Sequence, residues 1–136
     1  MTAAIIDCPC GDGKYTQCCG RYHNGGEIAP TAQALMRSRY SAYVMDLGDY
    51  LRATWHGSTR PAEPVVAEAG VKWLGLELRR HAADGDSATV EFVARYKIGG
   101  RAERLHEVSR FVRECEAGAE GPSRWFYVDG SFPGKK

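Results

Sequence analysis

Four of the five cysteines crowd into Cys8, Cys10, Cys18 and Cys19, with the spacing C-x-C-x7-C-C. Thiols this close in sequence can form disulfides or ligate a metal. A bridge between Cys8 and Cys10, or between Cys18 and Cys19, closes a strained ring, and cross-pairing closes loops of only about ten residues. The N-terminal stretch Met1–Asp7 has no basic region that would begin a secretion signal, so a reducing, cytoplasmic setting is expected, where disulfides are rare. Four thiolates can instead converge on one tetrahedral ion, and zinc is the expected metal, with Zn–S bonds of about 2.3 Å. A four-cysteine shell leaves no open position for water or substrate. The ion's role is therefore structural: it replaces a hydrophobic core that a segment this short cannot build.

The neighbouring residues suit that role. Gly11, Gly13 and Gly20 can supply the positive-φ turns that bring paired ligands onto one centre, and Pro9 stiffens the first pair. Lys14 and Arg21 can offset the charge of the thiolates, and Tyr15 can shield the sulfurs from water. The alternative, a chance cluster of free thiols, leaves these glycines unexplained. The fifth cysteine, Cys115, stands apart and is expected to pack as a small apolar residue.

A second group of residues could serve a pocket. Tyr40, Tyr43 and Trp55 can line a cup or simply pack as core. Arg37 and Arg39 flank the apolar stripe of their helix by about 80° on either side. Alternation in a strand puts Leu105, Glu107, Ser109 and Phe111 on one face and His106, Val108, Arg110 and Val112 on the other, so either inward face carries an ionisable group. If Glu107 turns inward it needs a cation, and Arg39 or Arg60 is the expected partner. His56 follows Trp55 directly and is the residue type suited to proton transfer near neutral pH, or to a structural hydrogen bond.

The elements that position these groups can be read from periodicity. Tyr22 to Glu27 includes Gly25-Gly26, which reads as a hinge, giving a zinc-binding motif and linker over 1–27 and a main domain over 28–136 that should be separable in stability. After Thr31, a plausible N-cap, Met36, Tyr40, Tyr43, Val44 and Leu47 follow helical spacing, and Asp46 is expected to cap a second short helix carrying Tyr50, Leu51 and Trp55. Gly57 to Pro64 reads as a loop. Strands are expected from Trp73, with Leu74, Leu76 and Leu78 on one face, then over Val90–Ile98, Ala102–Cys115 and Trp125–Asp129. Asp84-Gly85-Asp86 and Gly99-Gly100 mark the turns. Helices first and hairpin-linked strands afterwards predict an α+β domain, with an antiparallel sheet wrapped over the helices.

The stretch Cys8-Pro9-Cys10-Gly11-Asp12-Gly13-Lys14-Tyr15-Thr16-Gln17-Cys18-Cys19-Gly20 resembles the SEC-C motif, the small zinc-binding element also found at the C-terminus of the SecA preprotein translocase motor. That motif usually has Ser where this chain has Asp12, and some members carry His where it has Cys19; neither change removes a ligand. The run Ala29-Pro30-Thr31-Ala32-Gln33-Ala34-Leu35-Met36-Arg37-Ser38-Arg39-Tyr40-Ser41-Ala42-Tyr43, with Tyr50-Leu51, Thr54-Trp55-His56 and Thr59-Arg60, is similar to the bacterial YchJ-type family. This second resemblance covers essentially the whole chain. It implies a SEC-C element fused to a nuclear transport factor 2-like cone, and it implies no particular activity.

Composition narrows the partners. At 136 residues, 43% hydrophobic and 26% charged, the chain suits one domain with a short appendage. The formal net charge is +1, so no overall charge draws it to nucleic acid or to a membrane surface. Residues 95–113 hold six basic side chains against two acidic ones, but alternation spreads them over both strand faces, without the stacking aromatics of single-strand binders. No apolar run approaches the roughly 20 residues of a spanning helix. The expectation is a zinc-binding module for a protein partner or a small ligand, with the knuckle as the interaction element. The alternative is a small-molecule enzyme of isomerase, dehydratase or hydrolase type that uses the cup.

Overall fold

The computed structural model describes residues 6–11, 13–65, 70–115 and 123–132. A single 3-10 turn, Tyr15–Gln17, and a one-turn helix α1, Gly20–His23, follow the cysteine pairs. Then come α2, Ala32–Met45, and α3, Gly48–Ala53. Four strands complete the order: β1, Val71–Asp84; β2, Ser87–Ile98; β3, Arg101–Glu114; and β4, Arg124–Ser131. They form one antiparallel meander in the order β1-β2-β3-β4. Helices therefore precede a hairpin-linked sheet, which is the expected α+β arrangement.

Local chemistry sets the ends of α2. The Thr31 hydroxyl accepts the Ala34 N–H at 3.0 Å, capping the helix as expected. Asp46 behaves differently from its expected role as the cap of the next helix. Its φ of 58° makes it a left-handed stop to α2, with its N–H bonded back to the last turn, and Leu47 precedes α3 instead. The side chain of Asp46 is short and polar enough to tolerate that conformation.

Both long faces of α2 are covered. Ala32, Ser38, Ser41 and Ala42 are fully buried, and Arg39 and Tyr40 nearly so. The expectation of one apolar stripe misses the second face, because that face is buried by small polar residues against the knuckle. Val44, included in the stripe, is exposed. The main core lies between α2 and the sheet, where Val90, Phe92, Ala94 and Phe111 meet Leu35, Met36 and Tyr40.

In β1 the alternation breaks once near its start. A register shift between Trp73 and Gly75 turns Trp73, Leu76 and Leu78 toward the core and leaves Leu74 exposed, so the three leucines do not share a face. A second shift falls between Leu78 and Arg80. Gly99 and Gly100, with φ of 59° and 78°, make the tight turn between β2 and β3.

Candidate metal site and ligand cup

The knuckle begins as a miniature hairpin. Asp7 pairs with Lys14 across it, and Cys8 N–H donates to the Gly13 carbonyl at 2.7 Å while Gly11 N–H donates to that of Cys8 at 2.9 Å. Gly11 and Gly13 take φ of 87° and 127°, the positive values that reversing the chain between ligands demands. Gly20 differs from that expectation: no positive φ is found there, and its role is close approach, since a Cβ would sit 2.7 Å from the Tyr15 carbonyl. The 3-10 turn then delivers Cys18 and Cys19 to the same point.

The four Sγ atoms lie within 4.8 Å of one another, with Cys10 and Cys18 at 3.5 Å and Cys18 and Cys19 at 4.0 Å. A tetrahedron with Zn–S bonds of 2.3 Å has edges of about 3.8 Å, so the sulfurs already stand at ligand spacing. All four cysteines are buried. Burial, reinforced by the neighbouring thiols, pushes Cys18 up to about 12, and hydrogen bonding with Cys10 together with burial raises Cys19 further. Four thiolates in such a place call for a divalent cation, and the donor set fits one.

The back of the knuckle rests on α2. Ser41 Oγ is 3.4 Å from Cys8 Sγ, and Arg37 Nη1 donates to the Cys10 carbonyl at 3.4 Å. His23 bridges the two parts: its Nε2 donates to the Ser38 carbonyl at 2.8 Å, which leaves Nδ1 to accept from the Tyr15 hydroxyl at 2.7 Å. Burial lowers the His23 pKa, keeping the ring in this neutral form. Sequence reasoning passed over His23, which carries no motif; only its place just past the last ligand hinted at it. Tyr15 spends its hydroxyl on His23, Lys14 pairs with Asp7 at 2.6 Å, and Arg21 donates to the Cys18 carbonyl at 2.9 Å. Gly25 and Gly26 form the turn after α1, with Gly26 N–H bonded to the Asn24 side chain and Glu27 N–H to the Arg21 carbonyl.

On the other side of α2 a cavity of about 230 Å³ opens over the sheet. Tyr40, Tyr43, Trp73, Phe92 and Tyr127 give it aromatic walls, and Arg39, Glu107 and Ser109 reach into it. The Glu107 face of β3 is thus the inward one. Glu107 is 8% exposed and its Oε2 accepts from Ser109 Oγ at 2.6 Å and from the Tyr127 hydroxyl at 3.3 Å. Gly130 makes room for this carboxylate, because a Cβ there would overlap it.

The expected ion pair of Glu107 with Arg39 or Arg60 does not form. Arg39 is 2% exposed and donates from Nη1 to the Leu51 carbonyl at 2.8 Å and Thr54 Oγ1 at 2.6 Å. Its guanidinium lies 4.5 Å from the Tyr127 ring centre and 5.2 Å from that of Trp55. Burial lowers the Arg39 pKa, while surrounding tyrosines and the Glu107 charge act the other way. The two charges share the cup at a distance, each bonded to other groups. Arg60 is exposed and donates to the Trp55 carbonyl at 3.0 Å, outside the cup.

Trp55 and His56 part company for a geometric reason. The segment Thr54–His56 is extended along β4: Tyr127 N–H donates to the Thr54 carbonyl at 2.9 Å and His56 N–H to the Tyr127 carbonyl at 2.7 Å. Consecutive side chains on an extended chain point opposite ways. Trp55 meets Tyr127 edge-on with ring centres 5.1 Å apart and backs the cup without lining it. His56 faces away, onto Phe126 and to Glu114 at 2.8 Å, in a separate open depression of about 680 Å³ that Arg52 and Arg60 also border. Cys115 borders it too and is exposed, contrary to the expected packing. Burial pushes Tyr40 up to about 12 and also raises Tyr127, so both phenols stay protonated and able to donate.

A cluster of four cysteines at metal-ligand spacing, laid against the helix of an α+β cone, defines a class of nuclear transport factor 2-like protein with an N-terminal cysteine knuckle. A family model described as YchJ, middle NTF2-like domain, matches residues 31–130, and the chain belongs to this YchJ-type family. A UPF0225 protein of Cupriavidus metallidurans is 60% identical over 126 residues, covering 92% of this chain and 88% of its own. Another, from Ralstonia nicotianae, is 58% identical over 135 residues, covering 96% and 94%. The solution structure of a SEC-C motif containing protein from Rhodopseudomonas palustris is similar, with a TM-score of 0.77, 31% identity and coverage of 93% of this chain and 98% of that one. The crystal structure of a SEC-C motif containing protein from Psychrobacter arcticus gives a TM-score of 0.79 at 26% identity, covering 100% and 88%. No helix among the described residues is long and apolar enough to cross a membrane.

Proposed function

We propose that this chain is a small-ligand-binding protein whose cup is held in shape by a structural zinc ion in the N-terminal knuckle. Cys8, Cys10, Cys18 and Cys19 hold the zinc; Arg39, Tyr40, Tyr43 and Glu107 serve the ligand. The observation that carries this reading is the open aromatic cavity with a buried carboxylate at its base. A domain that only supported an interaction element would fill that space. The four thiolates suit a reducing compartment such as the cytoplasm. Arg95, Arg101, Arg110 and Arg113 are each paired with a carboxylate, which supports a solvated outer sheet surface rather than a nucleic-acid interface.

A second reading keeps the knuckle as a docking point for another protein, and the exposed Ile6 and Ile28 beside it favour that. The enzyme alternative uses the same cup, with Glu107 as the proton-transferring group; Glu107 stands at the base of an apolar cavity, as that chemistry requires. His56 and Arg60 have no part in it.

Native mass spectrometry of the intact chain should find one zinc, lost in the Cys18→Ser, Cys19→Ser double variant. A fragment screen by nitrogen-15 chemical shifts on the zinc-loaded chain should cluster shifts at Phe92, Leu105 and Tyr127, and Leu105→Trp, which fills the cavity, should abolish them. Fragments that never reach these residues would end the ligand reading.

A further inference from the structure

We infer that the cup selects an uncharged, ring-bearing small molecule that donates one hydrogen bond, from N–H or O–H, to the free oxygen of Glu107. The inference rests on the cup reading above and specifies its ligand. Both hydrogen bonds that reach the Glu107 carboxylate from the described residues end on Oε2, leaving Oε1 without a donor. That oxygen belongs to a side chain more than nine-tenths buried and fixed in place, with Ser109 donating at 2.6 Å and no side chain at Gly130. Oε1 is not among the buried side-chain atoms left unpaired, so it opens into the cup, where a carboxylate oxygen accepts strongly from any donor that reaches it. The ligand supplies that donor.

Charge rules out the other classes. An anion entering the cup meets the Glu107 carboxylate, while Arg39 is anchored to the wall through Nη1, bonded to the Leu51 carbonyl and Thr54, with its guanidinium over Tyr127, so it does not move out to offset that repulsion. A cation meets Arg39, whose buried charge already balances Glu107. A neutral donor disturbs neither. The rest of the ligand faces rings: Trp73 packs against Tyr40, Tyr43 and Tyr96 at centroid distances of 5.8, 6.1 and 5.4 Å, and Phe92 lies beneath. Flat apolar groups suit such walls. The cavity of about 230 Å³ admits roughly eight waters' worth of ligand, room for a single substituted ring.

Four matched probes test this on the full-length, zinc-loaded chain by nitrogen-15 chemical shifts: p-cresol, p-methylanisole, p-toluate and p-methylbenzylammonium. The p-cresol titration should shift the amides of Phe92, Glu107, Ser109 and Tyr127 saturably. Removing the donor, as in p-methylanisole, should weaken binding by roughly ten- to a hundredfold, the worth of a hydrogen bond to a charged group. Both ions should bind more weakly than p-cresol. Glu107→Gln should shrink the cresol-to-anisole preference several-fold while the spectrum stays folded. If that variant does not fold, the probe series on the unaltered chain decides alone. Equal binding of p-methylanisole, or tighter binding of either ion at the cup, overturns the neutral-donor assignment and leaves the cup reading standing. No shift at the cup from any probe overturns both.

Discussion

The knuckle and the cup occupy nearly opposite faces of one helix, as the 100° step per residue places Arg37, Ser38 and Ser41 against the first and Met36, Arg39, Tyr40 and Tyr43 against the second. Both bury polar atoms, and they stabilise them differently. In the knuckle four sulfurs converge at metal-ligand spacing, and a cation bound there would satisfy all of them at once and tie local folding to metal binding. In the cup Arg39 and Glu107 are each satisfied by separate protein groups, and the space between the walls stays open. A polar cluster that closes on itself holds structure; one that faces an open cavity is where the proposed ligand would bind.

Removing the metal should have the largest effect. A structural zinc contributes on the order of 10 kcal/mol of apparent binding free energy. A strong chelator, or Cys18→Ser with Cys19→Ser, should unfold the knuckle. Ser38, Ser41 and Arg37 contact the knuckle directly, so the cone's melting temperature should fall as well, in place of the independence that the glycine pair suggested. Circular dichroism melts with and without chelator measure this, and an unchanged cone transition would show that the two regions fold separately.

Next comes Arg39→Met, which removes the charged donor to the Leu51 carbonyl and Thr54 Oγ1 in a buried place; denaturant unfolding should report a loss of about 3 kcal/mol. Gly130→Ala forces a methyl group into the Glu107 carboxylate and should cost about 1–3 kcal/mol. Combining it with Glu107→Ala should recover much of that loss, and no recovery would place the strain elsewhere. Ser41→Ala removes the contact to Cys8 and should lose about 1 kcal/mol. Smallest of all, breaking the half-exposed His56–Glu114 pair with Glu114→Gln should lose less than about 1 kcal/mol. A larger loss would raise the outer depression to the same standing as the cup.

The legible parts of this molecule were those fixed by local rules. Cysteine spacing with intervening glycines located the sulfur cluster, and strand alternation with turn glycines gave the four strands and the face that carries Glu107. Contacts between elements were not legible. The Arg39 partners, Leu51 and Thr54, lie on the next helix and its end, and choosing them over Glu107 depends on how α3 docks. His56 was grouped with Trp55 because they adjoin in sequence, whereas pairing of that segment with β4 separates them. Alternation puts Ser109 on the Glu107 face but assigns neither it nor Tyr127 to the carboxylate, because an alternating strand makes every second residue equally eligible.

The two register shifts in β1 bear on the molecule's life among its own copies. This strand stands at the margin of the sheet, where a regular row of free N–H and C=O groups would accept a strand from another molecule. The shifts at Trp73–Gly75 and Leu78–Arg80 interrupt that row twice, and beside the second interruption stand the exposed Arg80 and the Arg79–Glu77 ion pair. The same irregularity that turns Leu74 outward while sending Trp73 to the cup therefore also breaks up the long margin along which a further strand would pair.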